Sequence, residues 1–296
     1  MIVSERLAAI SPSQTLAITG KAKALKKEGI DVISFAAGEP DFDTPEHIRE
    51  AAHRAIEEGK TRYTPARGMP ELIAAVRNKF KNDNGLDYTA DKIIISCGAK
   101  HSLYCAFQAL CRPGDEVIIP APYWVTYPEQ VKLAGAEPVF LATEEEDGFR
   151  LNRERLVKAI TPRTRVLVIA SPANPSGQGY PKEDLEFIGR LALENNFYLI
   201  SDEIYEKLVY DGFEPVSVAS LSDEVKERTV VVNGVSKTYA MTGWRIGYLA
   251  APAPVAKAIN SFQSHTTSNP ATISQYAALA ALEGDQGCVD SMLDAF

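Results

Sequence analysis

The chain has 296 residues, with 31 Lys+Arg against 39 Asp+Glu and a formal net charge of −8. Its hydrophobic content of 45% and charged content of 24% are those of an ordinary soluble domain, which excludes a disordered or collagen-like chain. The acidic balance argues against a nucleic-acid partner, although it leaves room for a local cationic pocket. Residues 1–11 lack the apolar core of a signal peptide, and no apolar run reaches the ~18 residues that span a bilayer. Cys97, Cys105, Cys111 and Cys288 form no C-x-x-C pair, and the four histidines are scattered, so neither a disulfide framework nor a metal site is expected. A reducing, cytoplasmic setting fits this pattern, with no membrane association.

In chain order, β-branched runs predict strands at 31–35, 92–96, 116–120, 137–141, 165–170, 197–201, 229–233 and 246–250. Helical patterns fill the intervals. Thr44-Pro45-Glu46 is expected to open a helix, with the threonine as cap and the proline in the first turn, and Gly59 to close it in a left-handed turn. Pro181 opens another, in which Leu185, Ile188, Leu191 and Ala192 recur at helical spacing. Strands alternating with helices predict an α/β fold, a mostly parallel sheet with helices on both faces. Val289, Met292, Leu293 and Phe296 form a final helical stripe that runs into the terminus without a stop signal, the pattern of a chain cut inside a longer helix.

Ligands of open α/β sheets bind beyond the carboxyl ends of the strands. Those ends are followed here by Gly98-Ala99-Lys100, by Tyr123-Trp124, by Ala173-Asn174-Pro175-Ser176-Gly177, by Asp202-Glu203-Ile204-Tyr205 and by Ser236-Lys237, with Arg245 a little further on. Each segment alone reads as a turn, a cap or a surface charge. Gathered in one crevice, they give an aromatic plate, an amide, a carboxylate, a phenol, a lysine and an arginine.

These segments, with Ser34-Phe35-Ala36-Ala37-Gly38-Glu39-Pro40-Asp41-Phe42 and Arg62-Tyr63-Thr64-Pro65, resemble the class I/II aminotransferases, enzymes of fold type I that depend on pyridoxal 5'-phosphate. The likeness is strongest to the bacterial aspartate aminotransferases and covers essentially the whole chain. Its most specific part is the block Ser236-Lys237-Thr238-Tyr239-Ala240-Met241-Thr242-Gly243-Trp244-Arg245.

The resemblance implies roles. Lys237 would hold the cofactor covalently and later move a proton at the substrate α-carbon, and Asp202 would pair with the pyridine nitrogen. Tyr205 and Asn174 would bond the ring oxygen, and Trp124 would stack on the ring. Gly98, Ala99, Ser236 and Arg245 would bind the phosphate, with Lys100 beside them and Tyr63 reaching the phosphate of a neighbouring subunit in a homodimer. Gly38, Trp124 and Asn174 would meet the substrate, and Lys100 its distal carboxylate.

By the same likeness, residues 1–43 are the N-terminal part of a small domain, 44–284 the large cofactor-binding domain, and 285–296 the start of an interdomain helix. The family's principal α-carboxylate arginine lies in a C-terminal segment that this sequence does not contain, so the activity is expected of the intact protein. The expected reaction moves an amino group between aspartate and 2-oxoglutarate through two half-reactions. Transfer from prephenate, aromatic amino acids, alanine or kynurenine is the near alternative. A regulatory protein that binds the same cofactor is the remote one, and it would carry a DNA-binding region. A nicotinamide dehydrogenase would need a G-x-G-x-x-G opening a βαβ unit, which is missing.

Overall fold

Strands that are apolar on every residue must be covered on both faces, and here they are. The computed structural model describes residues 4–35 and 38–296, so Ala36 and Ala37 of the first motif and the first three residues of the N-terminal stretch lie outside the described residues. Seven strands form one sheet: β1 (Ile93–Ser96), β2 (Glu116–Pro120), β3 (Glu137–Leu141), β4 (Thr164–Ala170), β5 (Tyr198–Asp202), β6 (Thr229–Gly234) and β7 (Gly247–Ala250). They lie in the order β1-β7-β6-β5-β4-β2-β3. The central pairs are parallel, and β7 alone runs antiparallel to both of its neighbours.

Successive side chains of a strand point to opposite faces, and the core divides accordingly. Ile94, Val230, Val232, Ile200 and Leu249 pack on one side with Leu103, Phe107 and Ile259, from helices Ala99–Leu110 and Ala253–Ser264. Ile93, Ile95, Val231 and Tyr248 pack on the other with Leu72, Val76 and Phe80 from helix Pro70–Asn84. Leu167, Ile169 and Leu199 extend that second layer onto Leu185 and Ile188 of helix Lys182–Glu194.

Two local expectations are corrected. Residues 31–35 form no strand: Ile33 and Phe35 are 80% and 96% exposed, and an apolar alternation without a neighbouring strand to bond has nothing to hold it extended in a sheet. Thr44 does not cap helix Glu46–Glu57. Its hydroxyl instead donates to Ala240 O at 2.7 Å and accepts from Trp244 Nε1 at 2.9 Å, which ties the helix start to the loop before β7. Gly59 does close that helix with a positive φ of 69°. The final stripe is a helix, Gly287–Ala295, with Val289 and Met292 buried and Phe296 edge-on to Phe42 at 5.4 Å.

The register places the chemistry. Ala170 lies opposite Asp202, and Asp202 opposite Val232, so the carboxyl ends of β4, β5 and β6 reach one edge together. Because β7 is reversed, its first residue pairs with the last of β1, Gly247 opposite Ser96. Arg245 therefore enters the same edge from before its strand, while Gly98 enters it from beyond β1.

Candidate active site

Asp202 ends β5 and is 5% exposed. Tyr127 OH donates to its Oδ2 at 2.8 Å, and the Ile204 amide lies 3.4 Å from Oδ1. Among the described residues no lysine or arginine pairs with it. Burial accordingly raises its pKa to about 6, against the lowering effect of the two hydrogen bonds. A buried carboxylate that lacks a cation is prepared for one.

Tyr205 stands on the turn that follows, and Asn174, beyond β4, reaches it with Nδ2 at 3.4 Å from the phenol oxygen. Burial raises the phenol pKa, and the Asn174 bond opposes that rise. Lys237 Nζ lies 5.7 Å from the centre of the Tyr205 ring and donates to Gly38 O. Burial lowers the Lys237 pKa; Glu39 opposes the shift and Arg245 adds to it. An amine more easily neutral than a surface lysine can accept a proton near neutral pH.

The other end of the crevice is shaped for an anion. Gly98 has φ 88°, and a Cβ there would stand 2.2 Å from Arg245 Nη2, so only glycine lets the guanidinium lie across this turn. Arg245 is itself left-handed at φ 55° and is held by Nη1 to Thr242 O at 2.7 Å. Helix Ala99–Leu110 begins here. The Gly98 amide is already bonded to Ser96 O at 2.8 Å, so Ala99 and Lys100 supply the open N–H groups at this positive helix end. Gly98→Ala is expected to cost about 1–3 kcal/mol in a denaturation series. Unchanged stability would mean that the guanidinium is free to swing away.

Lys100 is exposed, with Nζ 4.9 Å from the centre of the Trp124 ring. Burial of its stem and the nearby Arg245 lower its pKa. Ser236 is buried beside Lys237. Tyr63 stands apart from this group, 92% exposed, on a loop pinned on both sides by Thr272 Oγ1 to Arg62 O at 2.6 Å and by Gln275 Nε2 to Thr64 Oγ1 at 2.9 Å. Thus Asn174, Tyr205, Lys237 and Gly38 lie in a run of close contacts, Asp202 and the Gly98–Arg245 cradle stand at the same edge of the sheet, and Tyr63 faces outward.

Sequence reasoning missed Tyr127. It is buried, touches Trp124 edge-on at 5.6 Å and is, among the described residues, the one side chain that bonds Asp202. Its signal is faint: a tyrosine one helical turn past Trp124.

Residues 30–296 match the family described as Aminotransferase class I and II. The chain is 52% identical over 295 residues to the aspartate aminotransferase of Bacillus sp. (strain YM-2), covering all of this chain and 75% of that protein. It is 50% identical over 286 residues to the aspartate/prephenate aminotransferase of Thermus thermophilus, covering 96% of this chain and 73% of the other. Among solved structures, Thermus thermophilus aspartate aminotransferase with maleate superimposes with a TM-score of 0.95 at 48% identity, covering 100% of this chain and 76% of that one.

Proposed function

We propose, for a chain that belongs to the class I and II aminotransferases, the transfer of an amino group between L-aspartate and 2-oxoglutarate with pyridoxal 5'-phosphate as cofactor. The observation that carries this reading is Asp202, a buried carboxylate without a basic partner among the described residues, at one end of a crevice whose other end is the Gly98–Arg245 cradle. The residues fit the cofactor. Asp202 would hold a protonated ring nitrogen, Asn174 and Tyr205 the ring oxygen, and Trp124 one ring face. Ala99, Lys100, Ser236 and Arg245 would hold the phosphate. When bound, the cofactor supplies an aldehyde for amines and an electron sink for charge left on the α-carbon.

The chain's own residues do the rest. Lys237 would hold the cofactor through Nζ and, when free, would accept and pass on a proton at that atom, its lowered pKa favouring the neutral, proton-accepting amine. Gly38, beside Lys237 Nζ and with open space where a Cβ would be, leaves room for the substrate α-carboxylate. Lys100 suits a second, distal carboxylate, and the maleate of the solved Thermus thermophilus relative is a dicarboxylate of that kind. The relative named for prephenate as well as aspartate makes prephenate the second candidate substrate.

The exposed Tyr63 suits a homodimer in which each subunit completes its neighbour's phosphate site. For the domain division, helix Gln14–Lys27 buries no residue, and the sheet and nearly all of its core lie within 44–284, with Val289 of the last helix packed against the same core. No helix among the described residues is long and apolar enough to cross a membrane.

The deciding experiment loads the protein with pyridoxal phosphate and follows its conversion to the amine form with single amino acids. L-Aspartate should react faster than L-phenylalanine or L-alanine. The reverse order would retire the dicarboxylate assignment.

A further inference from the structure

Behind the crevice lies a second buried polar cluster that none of these roles uses. Glu206, one residue past Tyr205, is 7% exposed and pairs with Lys79, whose side chain is 9% exposed on helix Pro70–Asn84. Glu206 Oε2 accepts from Asn84 Nδ2 at 2.6 Å, and Oε1 accepts from Asn233 Nδ2 at 2.8 Å. Lys79 Nζ also donates to Asn84 Oδ1 at 2.6 Å, and Asn233 Oδ1 accepts from the Gly234 amide at 2.7 Å.

Such a pair adds little net stability, because removing both charges from water offsets most of their attraction. Its effect is a single geometry, and here that geometry joins two working segments. Tyr205 sits in a turn closed by the Glu206 amide bonding Glu203 O at 3.0 Å. The start of the turn is fixed by Glu203, whose Oε1 accepts from Ser201 Oγ at 2.8 Å and Ser217 Oγ at 2.7 Å. Its end is fixed by Glu206. Asn233, near the end of β6, leads through Gly234 and Val235 directly to Ser236 and Lys237. One carboxylate thereby spans the turn that presents the phenol and the strand end that presents the amine.

We propose that Glu206 is a positioning residue which, through Asn233, sets the separation of Tyr205 and Lys237. This rests on the aminotransferase reading, since that reading gives the two groups a shared task. The test compares wild type, Glu206→Gln, Asn233→Ala, Tyr205→Phe and the double variant Tyr205→Phe/Glu206→Gln, each loaded with pyridoxal phosphate. Two quantities are read: the pH midpoint of the bound cofactor's absorbance, and kcat and KM for L-aspartate.

Glu206→Gln and Asn233→Ala should each lower kcat about ten- to a hundredfold with little change in KM, as small misplacements of reacting groups do. Each should also displace the pH midpoint. In the Tyr205→Phe background, Glu206→Gln should add little to either effect, since the phenol whose distance from the amine it sets is gone. Wild-type kcat and midpoint in folded Glu206→Gln and Asn233→Ala, with only thermal stability lowered, would overturn the proposal. So would full additivity with Tyr205→Phe. If Glu206→Gln does not fold, Asn233→Ala decides alone, because it leaves the Lys79–Glu206 pair intact. A wild type that takes up no cofactor would sink the underlying reading and this inference with it. A wild type with absorbance and turnover beside insensitive variants would sink the inference only.

Discussion

Lys237→Ala is expected to abolish turnover and to remove the cofactor's covalent attachment, and no other substitution at this sheet edge is expected to do both. The physical basis is specific to the position. Lys237 leaves the end of β6 beside Tyr205 and Gly38, and burial together with Arg245 lowers its pKa, so that its amine can be neutral where a surface lysine's would be charged. The other lysine of the crevice, Lys100, is exposed over Trp124 and lies at the anion end. Borohydride reduction of the loaded wild type followed by peptide mass analysis should find the cofactor's mass on the peptide containing Lys237. Mass on the Lys100 peptide would overturn the assignment. The loss in kcat for Lys237→Ala should be at least about 10⁴-fold, the upper range for a group that moves a proton in the rate-determining step. Loaded Lys237→Ala should keep some non-covalent cofactor, because the proposed phosphate cradle of Ala99, Lys100 and Arg245 is untouched by the change.

Much of this site is written locally. Strand ends followed by Asn174, by Asp202 and Tyr205, and by Lys237 are legible because a parallel sheet delivers every carboxyl end to one edge. The register of β4, β5 and β6 realises that delivery. What escaped was whatever depends on partners distant in sequence. Tyr127 is an ordinary helix tyrosine until Asp202, 75 residues later, comes to rest against it. Nothing in the local sequence marks Lys79 and Glu206, because nothing local distinguishes a charge that will be buried with its partner from one left in water. The reversed direction of β7 is equally silent in its four residues, yet it brings Arg245 to Gly98. The alternation at 31–35 misled for the converse reason: it has a strand's composition but meets no sheet among the described residues. Thr44 has a cap's composition, and Trp244 and Ala240 claim its hydroxyl instead.

Asp202→Asn should act in opposite directions on the empty and the loaded protein. In the empty protein the carboxyl's folded pKa, about 6, lies above its ordinary value of 3.8, so the folded state holds the proton more tightly than the unfolded chain does. That contribution is fully present below about pH 4 and is lost as pH rises toward 6. Above pH 6 the buried charge leaves a constant penalty of at most about 3 kcal/mol. An amide of the same shape carries no such charge. Thermal unfolding should therefore show cofactor-free Asp202→Asn equal to wild type near pH 4 and more stable than it at pH 8. Tyr127 can keep one bond to the amide oxygen, so the gain is not lost to an orphaned hydroxyl. Loading reverses the order. In wild type a protonated ring nitrogen would supply the partner that Asp202 lacks, so cofactor should raise the melting temperature further than in Asp202→Asn. The variant's kcat should fall about 10²–10³-fold, the cost of removing a preorganised charge from a water-excluded site. An empty variant no more stable than wild type at pH 8 would show that the carboxylate is already compensated inside the protein. A loaded variant that kept its turnover would show that the acid does not face the ring.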